Sequence, residues 1–89
     1  MEKLTAYVFT TKDIINNKTP ILRVLYDDEG DWQFLNNEME LMEDDAMLVS
    51  LNGILQIDNS LSKLISQLHK GEIAYRKDSD SPWILKSFT

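Results

Sequence analysis

Cysteine is absent from this chain, which removes any disulfide framework and any thiolate metal site and makes a cytoplasmic protein the simplest expectation. Lysine and arginine are absent from a long interior stretch, Val24 to Ser62, which nevertheless holds ten acids: Asp27, Asp28, Glu29, Asp31, Glu38, Glu40, Glu43, Asp44, Asp45 and Asp58. Glycine is scarce, and its three residues stand isolated at 30, 53 and 71. No phosphate-cradling loop can be assembled from them, and no serine sits in a nucleophile elbow. No segment approaches the roughly 18 consecutive apolar residues of a membrane span. The opening Met1-Glu2-Lys3-Leu4 lacks a basic segment followed by an apolar run, so no signal peptide is expected.

What is present fits one folded domain of 89 residues, with 43% hydrophobic and 27% charged residues, well away from the composition of disorder. The whole chain sums to −6, so the part outside the acidic stretch sums to about +4 and an acidic region is set against a basic one. Clustered charge of one sign attracts partners of the opposite sign, accelerates encounter, and suppresses binding to nucleic acid and anionic membranes.

Leu4 to Phe9 combines β-branched and aromatic residues and reads as a strand. Thr10 or Thr11 can cap a short helix, Lys12 to Asn17, which Asn-Lys-Thr-Pro then stops, because Pro20 disfavours helix before it. Ile21 to Tyr26 and Trp32 to Leu35 flank a run of turn formers, Asp27 to Asp31 with Gly30 able to take positive φ, and read as a hairpin. In its second arm Trp32 and Phe34 share one face and Gln33 the other. Asn36 to Asp45 reads as a loop or one helical turn anchored by Met39, Leu41 and Met42. Ala46 to Leu51 suits a central strand ended by Asn52-Gly53. Ile54 to Ile57 leads into one amphipathic helix with Leu61, Leu64, Ile65 and Leu68 on one face, capped by Asp58, Asn59 or Ser60 and closed by Gly71. Glu72 to Lys77 and Trp83 to Phe88 form a second hairpin. The fold class is therefore α+β: a mainly antiparallel sheet of about five or six strands, with one amphipathic helix packed on it and a short N-terminal helix.

Among candidate sites, Asp27 to Asp31 lacks the spacing and the distal glutamate of a calcium loop, and reads as a solvated turn. Glu38, Glu40, Glu43, Asp44 and Asp45 read as a solvated acidic face, since catalytic carboxylates need a concave, partly dry setting. His69, the sole histidine, is explained by a helix C-terminus. Trp32, Phe34 and Trp83 read as core in preference to exposed anchors. Lys63, His69, Lys70, Arg76, Lys77 and Lys86 read as an ordinary solvated side, with no RNA-binding motif.

The order of landmarks is Thr10-Thr11-Lys12, a strand ending in Tyr26-Asp27-Asp28-Glu29, Gly30-Asp31-Trp32-Gln33-Phe34-Leu35, an acidic loop, and Val49-Ser50-Leu51-Asn52-Gly53-Ile54 with Asp58 following. Over roughly residues 5 to 75 it resembles the thirty-third immunity-protein family of bacterial polymorphic toxin systems, first catalogued as a domain of unknown function. Asn36-Asn37-Glu38 stands where that family has a Ser-Gly-Asp-like loop, and the turn before Trp32 is shorter. The resemblance implies a small cytosolic α+β protein that binds and neutralises a toxin domain, and nuclease toxins present basic surfaces that an acidic inhibitor can cover.

The expectation is a non-enzymatic domain, without cofactor or metal, that binds a basic protein partner through Asp27, Asp28, Glu29, Asp31, Glu38, Glu40, Glu43, Asp44 and Asp45. The alternative is a housekeeping or regulatory homodimer in which the acids serve solubility. A third reading, a hydrolase or metal-dependent enzyme, needs a cleft lined by Asp44, Asp45 and Asp58 or His69.

Overall fold

Thr11 ends the first strand and starts the first helix: its backbone is extended, and its hydroxyl accepts the N–H of Ile14 at 3.2 Å. The computed structural model describes residues 6–38 and 40–87. Strand β1 (Tyr7–Thr11) leads into helix α1 (Lys12–Asn17), which Lys18 closes in the left-handed conformation at φ 57°. The hairpin of β2 (Arg23–Tyr26) and β3 (Trp32–Leu35) follows. The acidic loop then ends in a single 3₁₀ turn, Glu43–Asp45, before β4 (Ala46–Ser50). Helices α2 (Leu51–Ile57) and α3 (Leu61–Gln67) lead to β5 (Glu72–Tyr75) and β6 (Ile84–Ser87). The first strand runs on to Thr11, two residues beyond the expected Phe9, and Leu4, Thr5 and Phe88, read as strand, lie outside the described residues.

The six strands form one open sheet in the order β4-β1-β3-β2-β5-β6, with β1 and β3 parallel and every other neighbouring pair antiparallel. The strand period sorts the side chains. Val8, Val24, Trp32, Phe34 and Ala74 face the helices and join Ile14, Leu51, Ile54, Leu61, Leu64 and Leu68 in one core. A fully buried Leu, Ile or Phe contributes about 1.5–3 kcal/mol, so this layer and not the few ion pairs holds the fold. Buried Thr10 adds a hydroxyl donated to Phe34 O at 2.9 Å across the parallel pair.

Three expectations are corrected. Ala46–Ser50 is an outer strand, not a central one, and its side chains are half-buried or exposed. Asn52-Gly53 does not end a strand in a turn: Ser50 Oγ accepts the N–H of Gly53 at 3.1 Å and caps α2, so both residues sit in its first turn. An unexpected helix, α2, precedes the amphipathic helix expected after Asp58-Asn59-Ser60; that helix is α3, and it ends at Gln67, so Gly71 (φ 85°) leads into β5 and does not close it. Its N–H donates to Tyr26 O at 2.7 Å.

Candidate functional site

The five residues from Asp27 to Asp31 close a tight turn in which one carboxylate holds the backbone. Asp27 Oδ1 accepts the N–H of Glu29 at 3.0 Å and of Asp31 at 2.9 Å, while Asp27 N–H donates to Asp31 O and Gly30 N–H to Asp27 O. Gly30, at φ 90°, supplies the left-handed step. The carboxylates of Asp28, Glu29 and Asp31 make no hydrogen bond and no ion pair among the described residues, so the turn holds three free acids on a fixed backbone. The stem of Lys70 lies across it: a Cβ at Gly30 would stand 3.4 Å from Lys70 Cε.

The two residues that flank this turn, Tyr26 and Trp32, are cross-strand partners. Their rings stack, and Trp32 also stacks towards Phe34, so three aromatics line up along the hairpin. Tyr26 and Trp32 form one wall of an open groove of about 760 Å³. Leu51 and Leu55 of α2, and Ile65 and Leu68 from α3 and its end, supply the rest of its apolar lining; Ser62, Ser66, His69 and Lys70 add the polar groups. The i, i+3, i+4 spacing that buries Leu61, Leu64 and Leu68 leaves Ile65 half-buried in the groove. Trp32 is 4% exposed, and its Nε1 is buried without a hydrogen-bond partner.

The acids of the middle stretch are not brought onto one surface. β3 runs from the Asp27–Asp31 turn at one end of the sheet to the acidic loop at the other, so Glu43, Asp44 and Asp45 stand at the opposite end, beside the start of β4. Glu38 is committed internally, its Oε1 accepting Asn36 N–H at 2.8 Å, whereas Glu40, Glu43, Asp44 and Asp45 are exposed and unpaired among the described residues. Asp44 and Asp45 precede β4, while Asp58 belongs to the β5 side of the sheet. Four strand spacings separate β4 from β5, about 19 Å, so these three acids do not converge on a cleft. No group of three or more His, Cys, Asp or Glu is placed to hold a metal ion among the described residues.

Arg76 is the side chain that sequence reasoning misplaced. It is 7% exposed, not solvated. Its Nε and Nη2 donate to Ile21 O at 3.1 and 2.8 Å, its Nη2 to Asp58 Oδ2 at 2.8 Å, and its guanidinium lies 4.2 Å over the Trp83 ring. It ties β5 to the corner between α2 and α3. Burial pushes the Asp58 carboxyl up, but the hydrogen bonds from Ser60 and Arg76 outweigh it and hold the group below the ordinary aspartate value. Asp78 is likewise lowered, by the Ser81 hydroxyl and the Asp80 backbone N–H. His69 is exposed, with Nδ1 3.3 Å from Glu72 Oε1. Trp32 and Phe34 are core, as read from the sequence, and Trp83 packs half-buried at its margin.

No family model, no curated protein and no solved structure matches this chain. No helix among the described residues is long and apolar enough to cross a membrane.

Proposed function

We propose that this chain is a non-enzymatic, cytoplasmic protein-binding domain for a basic partner, with neutralisation of a toxin domain as the role its sequence resemblance implies. One observation carries the reading: three unpaired carboxylates, Asp28, Glu29 and Asp31, stand on a stapled turn whose flanking residues are the aromatic wall of an apolar groove. That is the anatomy of an interface with an apolar centre and a charged rim. An apolar side chain of the partner fills the groove while its lysines or arginines meet the turn. The rim charges speed association and lose influence as salt rises. The test is affinity capture from a bacterial cytoplasm with the native chain and with an Asp28→Asn, Glu29→Gln, Asp31→Asn triple variant. A basic protein retained by the native chain at low salt and lost by the variant supports the reading; equal retention by both refutes it.

The homodimer keeps one specific observation in its favour. The sheet face away from the helices exposes Tyr7 and Leu48 at its β1–β4 edge, 71% and 57% exposed, although Leu35 and Ile73 at its centre are buried. A mass near twice 10.3 kDa that grows with concentration would establish that alternative.

A further inference from the structure

The two outer strands of the sheet are defended differently. β6 carries Lys86, and its four side chains are all exposed. β4 reads Ala46-Met47-Leu48-Val49-Ser50, with no charge and no proline. Its pairing with β1 runs through five consecutive residue pairs, from Tyr7 with Ser50 to Thr11 with Ala46, so no bulge interrupts it. An outer strand presents a row of unpaired N–H and C=O groups, and natural sheets blunt such rows with lysine, proline or a bulge. β4 has none of these, and no described strand pairs with its outer side.

A second feature fixes what such an edge would take. Glu43, Asp44 and Asp45 form the 3₁₀ turn that leads directly into β4, and all three are exposed with unpaired carboxylates among the described residues. The exposed Leu48 side chain stands at the middle of the strand. The edge is therefore apolar along its length and strongly negative at its N-terminal end only. A second copy of the chain, itself at −6, is disfavoured by like charge.

We infer that β4 is a docking edge for an extended basic segment of a partner protein, which adds to the sheet as a seventh strand. The antiparallel arrangement is the more stable one per residue, and it brings the C-terminal end of the incoming segment beside Ala46. The segment is thus an alternating apolar run with lysine or arginine after it, not before it. Trp32 and Tyr26 of the groove stand two and three strands in from this edge, and the inference stands on the strand's own geometry.

Two synthetic peptides test it. One is an acetylated and amidated Thr-Val-Thr-Val-Thr-Lys-Lys-Lys, and the other has the three lysines moved to the front. Each is titrated into the ¹⁵N-labelled chain while backbone amide resonances are followed. The first peptide is expected to shift the amides of residues 43 to 50 and to bind more tightly than the second. Leu48→Lys, at an exposed position, and a Glu43→Lys, Asp44→Lys, Asp45→Lys variant should each weaken it about tenfold or more. Tyr26→Ala, in the groove, should leave it unchanged. The inference is overturned if neither peptide binds, if both bind alike, if the shifts centre on residues 26 to 32, or if the β4 amides shift on raising the protein concentration alone. Loss of the groove reading would show instead as partner capture indifferent to Asp28, Glu29 and Asp31, with the peptide result intact.

Discussion

Tyr26 and Trp32 lie face to face, ring centroids 4.0 Å apart and planes within 10°, at the point where the β2–β3 hairpin turns. The pair couples the fold to the candidate site, because the same stack that fixes the hairpin register forms the groove wall beneath the acidic turn. Replacing Tyr26 by alanine should lower stability by about 2 kcal/mol, the sum of a lost aromatic pair and lost burial. It should also weaken partner capture. Urea unfolding and capture on the same variant separate the two effects.

Within the turn, the acids divide into one structural residue and three free ones. Asp27→Ala leaves two backbone N–H groups without their acceptor and should cost about 1 kcal/mol. Asp28→Asn, Glu29→Gln and Asp31→Asn should stay within about 0.5 kcal/mol of the native chain, as surface changes without lost contacts do. Denaturant midpoints at constant slope are the measurement, and equal losses across all four would contradict the division.

Arg76 and Asp58 supply a pH signature. Because the folded Asp58 carboxyl is held below the ordinary aspartate value, the pair's stabilisation is fully present above the unfolded value of about 3.9. It is lost as pH falls below that towards the folded value. Asp78 titrates in the same direction. Asp58→Asn should cost about 1–2 kcal/mol at neutral pH and flatten the acid limb of a stability-against-pH curve. Arg76→Ala should cost about 3 kcal/mol or more, since it also strips Ile21 O of its donors. A native acid limb that Asp58→Asn leaves unchanged would disprove the assignment.

Lys18 holds a left-handed conformation that glycine adopts without strain. Lys18→Gly should raise stability by about 0.5–1 kcal/mol and Lys18→Ala should not, as read by thermal unfolding.

Much of this architecture is legible in the residues. The hairpin around Asp27-Asp28-Glu29-Gly30-Asp31, the Thr11 cap and the shared face of Trp32 and Phe34 all follow from local turn chemistry and period. What was not legible depends on contacts between distant positions. Arg76 is buried by a carbonyl 55 residues away and a carboxylate 18 residues away, so its composition-level reading as a solvated cation fails. Ala46–Ser50 reads as central because an uncharged apolar run usually is, and only the pairing shows it to be an outer strand. The Asn52-Gly53 dipeptide signals a turn on its own, yet the Ser50 hydroxyl three residues before Gly53 offers a helix cap that the dipeptide overshadowed. The acids of residues 27 to 45 look like one surface in sequence, whereas β3 carries the chain across the sheet between them.

The central claim is that the turn at Asp28, Glu29 and Asp31 and the groove beside it act together on one basic partner. The most direct measurement is a calorimetric titration of the captured partner at low and high salt, with the native chain, the triple amide variant and Tyr26→Ala. The account predicts that affinity falls with salt for the native chain, that the triple variant loses both affinity and salt dependence, and that Tyr26→Ala loses affinity while keeping its salt dependence. Affinities unchanged by the triple variant at low salt would contradict it.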